Sequence, residues 1–256
     1  MDQKKKNIIP HSVFLFKEGK LSYYILGRDQ RDAALACIAR AMMKEPSTQS
    51  VKKRTYVDWL EFCDIWMDEC ASNGLSVFAM DEREHRMGGV LLVRDFQLVP
   101  KKFVDTYSQE SKALFPMVDF LLKLDSKAVA MFPPLKENGL GFAADLWLLG
   151  VHPDYKGNKI ANILIQCVLP LIVKAGYKYA TIEAASYFTS KVAEYHGFTA
   201  LCSENAKEML FKGKKIFEKM KSPHGEWIYW VKNLQQENTK QFDTRVKKEM
   251  LTNSKL

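Results

Sequence analysis

The chain has 256 residues, 47% of them hydrophobic and 27% charged, which favours one well-cored globular domain with short extensions. No apolar run approaches the ~20 residues that span a bilayer, and no signal-peptide core follows the basic N-terminus, so we expect no membrane partner. The five cysteines are scattered without a C-x-x-C pair, which argues against a disulfide framework or a bound metal and predicts a reducing, cytoplasmic location.

The net charge of +8 and the isoelectric point near 9.1 raise the question of a polyanionic partner. Basic residues occur throughout the chain, with additional clusters at its two ends, and no nucleic-acid module is recognisable. Nucleic-acid binding is therefore not expected. A phosphorylated small molecule and solvated chain ends are the explanations that we favour.

Strand and helix signals alternate through the first half of the chain. A strand over Ser22–Leu26 precedes a helix with Asp29 as its N-cap, and that helix is expected to end at Glu45 because a proline follows. Thr55 and Asp58 have the spacing of a capping box and open a second helix. Two strands over 76–80 and 89–94, a third helix over 112–124 and a proline- and glycine-containing loop come next.

The second half continues the alternation. Residues 146–161 read as a buried strand that ends at Pro153, a basic turn, and the start of a helix. A strand over 179–184, a short helix over 189–195, a lysine-rich loop over 204–223 and a last strand over 226–234 follow. These elements predict an N-terminal extension over residues 1–20, a domain over 21–234 and a polar, basic tail over 235–256.

The turn after Pro153 has the features of an anion site. The first amides of a helix have no intrahelical acceptor, and here Lys156 and Lys159 stand beside them. Such a turn suits a pyrophosphate group. An ordinary strand–turn–helix unit with a solvated basic turn is the alternative.

The same segment resembles motif A of the GNAT superfamily of acyl-CoA-dependent N-acetyltransferases, whose signature is R/Q-x-x-G-x-G/A after a Val-x-Pro strand end. Val151 and Pro153 lead into it, and the signature runs from Lys156 to Ala161, with Lys159 in place of the central glycine. We expect Lys159 to hold helical dihedrals. The resemblance implies an α/β (α+β) GNAT fold, with a mixed, mostly antiparallel sheet and helices on both faces.

The resemblance also implies the cosubstrate, acetyl-CoA, at a splayed pair of central strands. Coenzyme A carries about four negative charges, which agrees with the basic character of the chain. The residues implied to bind it are Leu149, Gly150, Val151, Lys156, Gly157, Asn158, Lys159, Ile160 and Ala161.

Residues Ala39–Ser47 resemble the Phe-x-x-x-Glu-Pro-Leu region of invertebrate arylalkylamine N-acetyltransferases, in which the glutamate before proline is the catalytic base. The matching residue is Glu45, whose alternative is an exposed carboxylate at a helix end. The resemblance implies acetylation of a small primary amine, with an arylalkylamine as the first expectation. A protein amine, a polyamine or an amino acid is the second, and a degenerate acyl-CoA-binding protein is the third.

A hydroxyl-rich segment before Gly197 also resembles that subfamily. Many GNAT enzymes place a tyrosine four residues before this glycine as general acid, and Ala193 stands there instead. Ser186, Tyr187 and Thr189 are therefore the candidate hydroxyls. Ser186 and Thr189 have an alternative as caps of the short helix. The sequence indicates no particular oligomeric state.

Overall fold

The computed structural model describes residues 11–51, 54–107 and 112–235. Its centre is an eight-stranded sheet in which β5 and β6 are parallel neighbours and the other described neighbours are antiparallel. In spatial order its strands are β1 (Val13–Glu18), β2 (Leu21–Ile25), β3 (Val77–Asp81), β4 (Arg86–Asp95), β5 (Ala143–Val151), β6 (Tyr179–Ala184), β10 (Glu226–Asn233) and β7 (Thr199–Asn205). A separate hairpin consists of β8 (Leu210–Phe211) and β9 (Lys214–Lys215).

Helices cover both faces of the sheet, and each face has its own hydrophobic core. The helices are α1 (Arg31–Met42), α2 (Pro46–Ser50), α3 (Tyr56–Cys70), α4 (Lys101–Tyr107), α5 (Phe115–Met131), α6 (Pro134–Glu137), α7 (Ile160–Lys174) and α8 (Tyr187–Tyr195). Helices α1, α3 and α5 supply one core, whereas α7 supplies most of the helical residues of the other. No helix in these described stretches is long and apolar enough to cross a membrane.

The capping box is present at the start of α3. The Thr55 side chain accepts from the Asp58 backbone N–H at 3.2 Å, and the Asp58 carboxylate accepts from the Thr55 backbone N–H. Asp29, in contrast, is not the N-cap of α1. It lies in a 3₁₀ turn over Arg28–Gln30, and its carboxylate accepts from the backbone N–H and the hydroxyl of Ser12. The predicted N-cap was wrong because the Asp29 carboxylate binds Ser12, a residue distant in sequence, instead of the helix backbone.

The predicted start of the domain and the predicted end of its first helix both differ from the structure. Strand β1 lies inside the predicted N-terminal extension and pairs with β2, so the sheet begins before residue 21. Helix α1 ends at Met42 rather than at Glu45, and a new short helix begins at Pro46. Most of the predicted C-terminal tail, residues 236–256, lies outside the described residues.

The parallel pair β5–β6 is short and then opens. Its register runs from Ala143 opposite Tyr179 to Asp145 opposite Thr181. Beyond those pairs, β5 continues along β4 to Val151, and β6 continues along β10 to Ala184. The two strands therefore diverge in the middle of the sheet.

Gly150 allows α1 to pack closely against β5. A Cβ atom at this position would lie 2.6 Å from Ile38 Cδ1 and 2.9 Å from Ala41 Cβ, closer than side chains pack. The absence of a side chain at Gly150 therefore sets the distance between the helix that leads to Glu45 and the strand that borders the gap.

We expect Gly150→Ala to lower the free energy of unfolding by about 1–3 kcal/mol, because the added methyl group overpacks this contact. Urea unfolding of the purified variants measures the change. Adding Ile38→Val removes the Cδ1 atom. The double variant should therefore lose less unfolding free energy than the two single variants lose in sum. Strict additivity would contradict this contact.

Candidate functional site

A cavity occupies the gap between the diverging strands. About 890 Å³ of space free of protein atoms lies within it, and this space includes open solvent. Its walls are mostly apolar, with a few carboxylates and hydroxyls. The lining residues include Met42, Glu45, Ser47, Thr48, Trp59, Phe62, Leu114, Met117, Val118, Leu121, Trp147, Leu149, Glu183, Ala185, Ser186 and Thr189.

Glu45 is one of the carboxylates in this wall. It is the N-cap residue of α2 with extended backbone (φ −70°, ψ 138°), and its side chain makes no capping bond there. Burial raises the pKa of the Glu45 carboxyl, while the positive charge of Lys156 and the hydroxyl of Ser186 act in the opposite direction. A carboxylate with a raised pKa in an apolar cavity is a suitable proton acceptor near neutral pH.

Ser186 and Thr189 lie in the same cavity wall, and Ser186 is also the N-cap of α8. The Ser186 hydroxyl accepts from the Thr189 backbone N–H at 3.3 Å, and the two hydroxyl oxygens are 3.0 Å apart. Tyr187 is placed differently: its side chain is exposed, and it is not among the lining residues. Ala193 is fully buried in the core. Of the predicted hydroxyls, those of Ser186 and Thr189 therefore lie in the cavity wall, which also contains Ser47 and Thr48, and the structure does not bring Tyr187 to it.

The backbone of β5 offers hydrogen-bond donors to the gap. The His152 N–H donates to the Gly88 carbonyl of β4 at 2.9 Å, and residue orientations alternate along a strand. The Gly150 amide therefore points towards β4, whereas the amides of Leu149 and Val151 point towards the gap. Of the three strand residues that the resemblance implies, Leu149 and Val151 therefore direct an N–H into the gap, and Gly150 does not.

The basic turn follows β5 directly. A 3₁₀ turn over Pro153–Tyr155 is anchored by buried Tyr155, whose hydroxyl donates to the Asp81 carboxylate at 3.1 Å. Asn158 closes the turn through a bond from its amide to the Tyr155 carbonyl at 2.9 Å. Lys156, Gly157, Asn158 and Lys159 are exposed, and Ile160 and Ala161 form the first positions of α7. The turn therefore presents lysines and helix-start amides together.

Lys159 departs from the expected helical dihedrals. It is the N-cap of α7 in the left-handed conformation (φ 57°, ψ 14°), without a capping bond from its side chain. Gly157 also has a positive φ of 84°, and the space around its missing Cβ is empty. The expectation for Lys159 was wrong because the turn must reverse direction before α7 begins, and this geometry is the one that glycine adopts without strain.

Replacing Lys159 separates its conformational cost from its charge. Lys159→Gly and Lys159→Ala remove the same charge, but only glycine relieves the left-handed strain. We expect the glycine variant to be more stable than the alanine variant by about 1 kcal/mol in urea unfolding. Equal stabilities would contradict the left-handed geometry.

The far end of the cavity contains an acidic group that the sequence analysis missed. Glu183 lines the cavity from β6, and the Asp125 carboxyl lies close enough to interact with it. Beside them Arg94 donates to Asp145 at 2.8 Å, and its guanidinium packs against the rings of both Trp66 and Trp147. A glutamate within an otherwise apolar predicted strand was the available signal for this group.

Comparisons with known proteins give structural matches alone. No family model and no curated protein sequence matches the chain. Mosquito arylalkylamine N-acetyltransferase like 5b is similar with a TM-score of 0.68 and 21% identity, over 83% of this chain and 99% of that one. Arylalkylamine N-acetyltransferase 2 from Aedes aegypti has a TM-score of 0.68 and 15% identity, over 84% and 100%.

A Drosophila melanogaster polyamine N-acetyltransferase, described as catalysing the formation of N-acetylagmatine, has a TM-score of 0.63 and 13% identity, over 83% of this chain and 99% of that one. These similarities extend over nearly the whole of each solved chain, and at such identities they establish the fold. The mixed sheet, its covering helices and the divergence of β5 from β6 are those of the predicted architecture. The chain has the fold of the GNAT N-acetyltransferases.

Proposed function

We propose that this protein is an N-acetyltransferase that transfers the acetyl group of acetyl-CoA to a small primary amine. The observation that carries the proposal is the meeting of three groups at one cavity: the half-buried Glu45 carboxyl, the Ser186–Thr189 hydroxyl pair, and Leu149 of β5, whose amide faces the gap. Proton acceptor, hydroxyl donors and oxyanion donors are the parts that acyl transfer to an amine requires.

The basic turn fits the pyrophosphate of acetyl-CoA. Positive charge from Lys156 and Lys159, the unpaired first amides of α7 and the open space at Gly157 are suited to an approaching phosphate. The pantetheine arm would then run along β5 past Val151 and Leu149 into the gap. Of the residues implied by motif A, Gly150 contributes by close packing on α1 rather than by its amide.

Glu45 acts on the incoming amine. The amine is protonated at neutral pH, so the carboxylate takes one proton, directly or through water, and leaves the nitrogen lone pair free to attack the thioester carbon. The amides of Leu149 and Val151 stabilise the negative charge that develops on the carbonyl oxygen. Collapse breaks the carbon–sulfur bond and releases a thiolate, which can leave unprotonated because a thiol pKa is only ~8.5. The nitrogen loses its second proton as the amide forms, and the Ser186 hydroxyl is the candidate to relay that proton to the thiolate.

The cavity walls bear on the identity of the amine. Trp59, Phe62 and Trp147 provide aromatic surface, which supports the arylalkylamine expectation. The acidic end at Glu183 instead supports an amine with a second positive charge, such as a polyamine. Release of free CoA with tyramine, 1,4-diaminobutane, spermidine and a lysine-containing peptide tests the general proposal, and tight CoA binding without turnover of any amine would contradict it.

Removing the charge of Lys156 tests the cosubstrate site. We expect Lys156→Ala to weaken acetyl-CoA binding several-fold at low salt, with a smaller effect at ~0.5 M salt because the interaction is screened. Calorimetric titration measures both affinities. Lys174→Ala, at the other end of α7, is the matched control and should bind like the parent protein. Equal behaviour of the two variants would place the phosphates elsewhere.

Glu45→Gln tests the proton acceptor. The amide keeps the shape of the side chain but cannot take the proton, so we expect turnover to fall ~10²–10⁴-fold with acetyl-CoA affinity nearly unchanged. Because burial raises the Glu45 pKa, the parent rate should increase with pH along an acidic limb above the ordinary glutamate range near ~4.3, and the variant should lack that limb.

The exposed Glu137→Gln variant is the control for Glu45→Gln, since Glu137 lies in α6 and outside the cavity lining. It should retain both the rate and the acidic limb. A Glu45→Gln protein that loses stability but keeps its rate per folded molecule would make Glu45 a structural residue.

A further inference from the structure

Glu183 lies in the part of β6 that has separated from β5. It follows Thr181, the last residue that pairs with β5, at the spacing of two that places both side chains on the same face. Its side chain lines the cavity that also contains Glu45. The Glu183 Oε1 atom is inaccessible to solvent, and it has no hydrogen-bond partner in the geometry of the described residues.

The surroundings of Glu183 contain more acid than base. Asp145 is paired with Arg94 at 2.8 Å and accepts from Thr181 at 3.2 Å, so these three groups satisfy one another. Asp125, from α5, adds a third carboxyl to the region. One guanidinium therefore faces three carboxyls, and Arg94, the positive group that acts on the Glu183–Asp125 pair, is already hydrogen-bonded to Asp145.

Tyr229 gives a second indication that this region is a polar site. It lies opposite Glu183 in the β6–β10 pairing and is completely buried. Its hydroxyl has no hydrogen-bond partner of good geometry within the described ranges; burial and the charges of Asp125, Asp145 and Glu183 raise its pKa, and Thr181 acts in the opposite direction. A buried phenol hydroxyl without an acceptor costs free energy. This cost favours a ligand or water that completes the hydrogen bonds.

Protonation compensates for the excess of carboxyls around Glu183. Burial and the neighbouring carboxyls raise the pKa of Asp125 to about 7 and that of Glu183 well above its ordinary value, with Arg94 acting in the opposite direction. A buried carboxyl without a counter-charge accepts a proton in this way. A ligand cation could take the place of that proton.

We propose that Glu183, supported by Asp125, binds a second cationic group of the acceptor, so that this cavity selects diamines or guanidinoalkylamines over monoamines. The inference rests on the proposed N-acetyltransferase function: Glu45 receives the amine that is acetylated, and Glu183 holds the other end of the same molecule. Glu183 contacts the ligand. Asp125 and Tyr229 do not line the cavity, and their role is to position the Glu183 side chain.

Binding of such a cation should release protons. At a pH where the pair still holds a proton, the incoming ammonium group favours the ionised pair, so the proton leaves as the ligand enters. Affinity for the diamine should therefore increase as the pH rises through the range in which the pair titrates. A monoamine that does not reach Glu183 should show no such release.

The experiment compares diaminoalkanes of three to six carbons with monoamines of matched length, such as 1,4-diaminobutane with 1-aminopentane. Calorimetric titrations in two buffers of different ionisation enthalpy count the protons released by the parent protein. Steady-state assays then give kcat/KM for each pair. We expect a preference for one diamine length, and Glu183→Gln should lower the diamine-to-monoamine ratio of kcat/KM by about 10-fold to 100-fold, the range for a lost charge-assisted bond.

Glu194→Gln is the matched control, because Glu194 lies on the exposed side of α8 and pairs with Lys191 at 2.7 Å. Its diamine-to-monoamine ratio should equal that of the parent. A parent protein that binds diamines without proton release, or that prefers monoamines, would overturn the inference. An equal fall in rate for every amine in Glu183→Gln would also overturn it, since it would give Glu183 a role in the chemistry.

These outcomes separate the two proposals. Turnover of monoamines and diamines at equal efficiency leaves the N-acetyltransferase function in place and removes the role of Glu183. Proton-linked diamine binding without turnover of any amine supports the cation site and contradicts the catalytic function.

Discussion

The short parallel contact between β5 and β6 is the constraint on which the site depends. Three residue pairs, ending at Asp145 and Thr181, join the two parts of the sheet, and beyond them the strands follow different neighbours. Backbone amides left without a partner strand must find other acceptors. The divergence therefore produces both the space for a ligand and a row of donors along it, and the connection between α1 and α2 places Glu45 at the same gap.

The end of that contact is also where charge is concentrated. The Arg94 guanidinium packs against two tryptophan rings, at 4.3 Å from the Trp66 centroid and 4.0 Å from the Trp147 centroid, and its pairing with Asp145 is almost completely buried. Buried charges are stable only when they are paired and hydrogen-bonded. The arrangement supports one wall of the cavity with a fully compensated ion pair, and leaves the excess negative charge on the side where a ligand can enter.

Local signals predicted much of this architecture. The capping box of α3, the strand over Tyr179–Ala184 and the turn between β5 and α7 follow from short-range patterns, and the structure contains all three. Helix α4, which buries Phe103 and Tyr107, and strand β1 were not predicted, because their stability depends on contacts with distant elements.

The site was predictable to a similar extent. Its basic turn and Glu45 belong to contiguous motifs, so the sequence indicated where a cosubstrate and a base could lie. The grouping of Glu183 with Asp125 and Tyr229 joins three separate elements, β6, α5 and β10, and no sequence spacing reveals it. The left-handed geometry of Lys159 was also hidden, since lysine is not a residue that normally signals it.

The alternation along the end of β5 has a consequence for local stability. The amides of Leu148 and Gly150 face β4, so their exchange with solvent deuterium requires that strand pairing to open. The amides of Leu149 and Val151 face the gap and are protected only by whatever fills it. Adjacent residues of one strand therefore belong to two different exchange classes: one reports the integrity of the sheet, and the other reports the occupancy of the cavity.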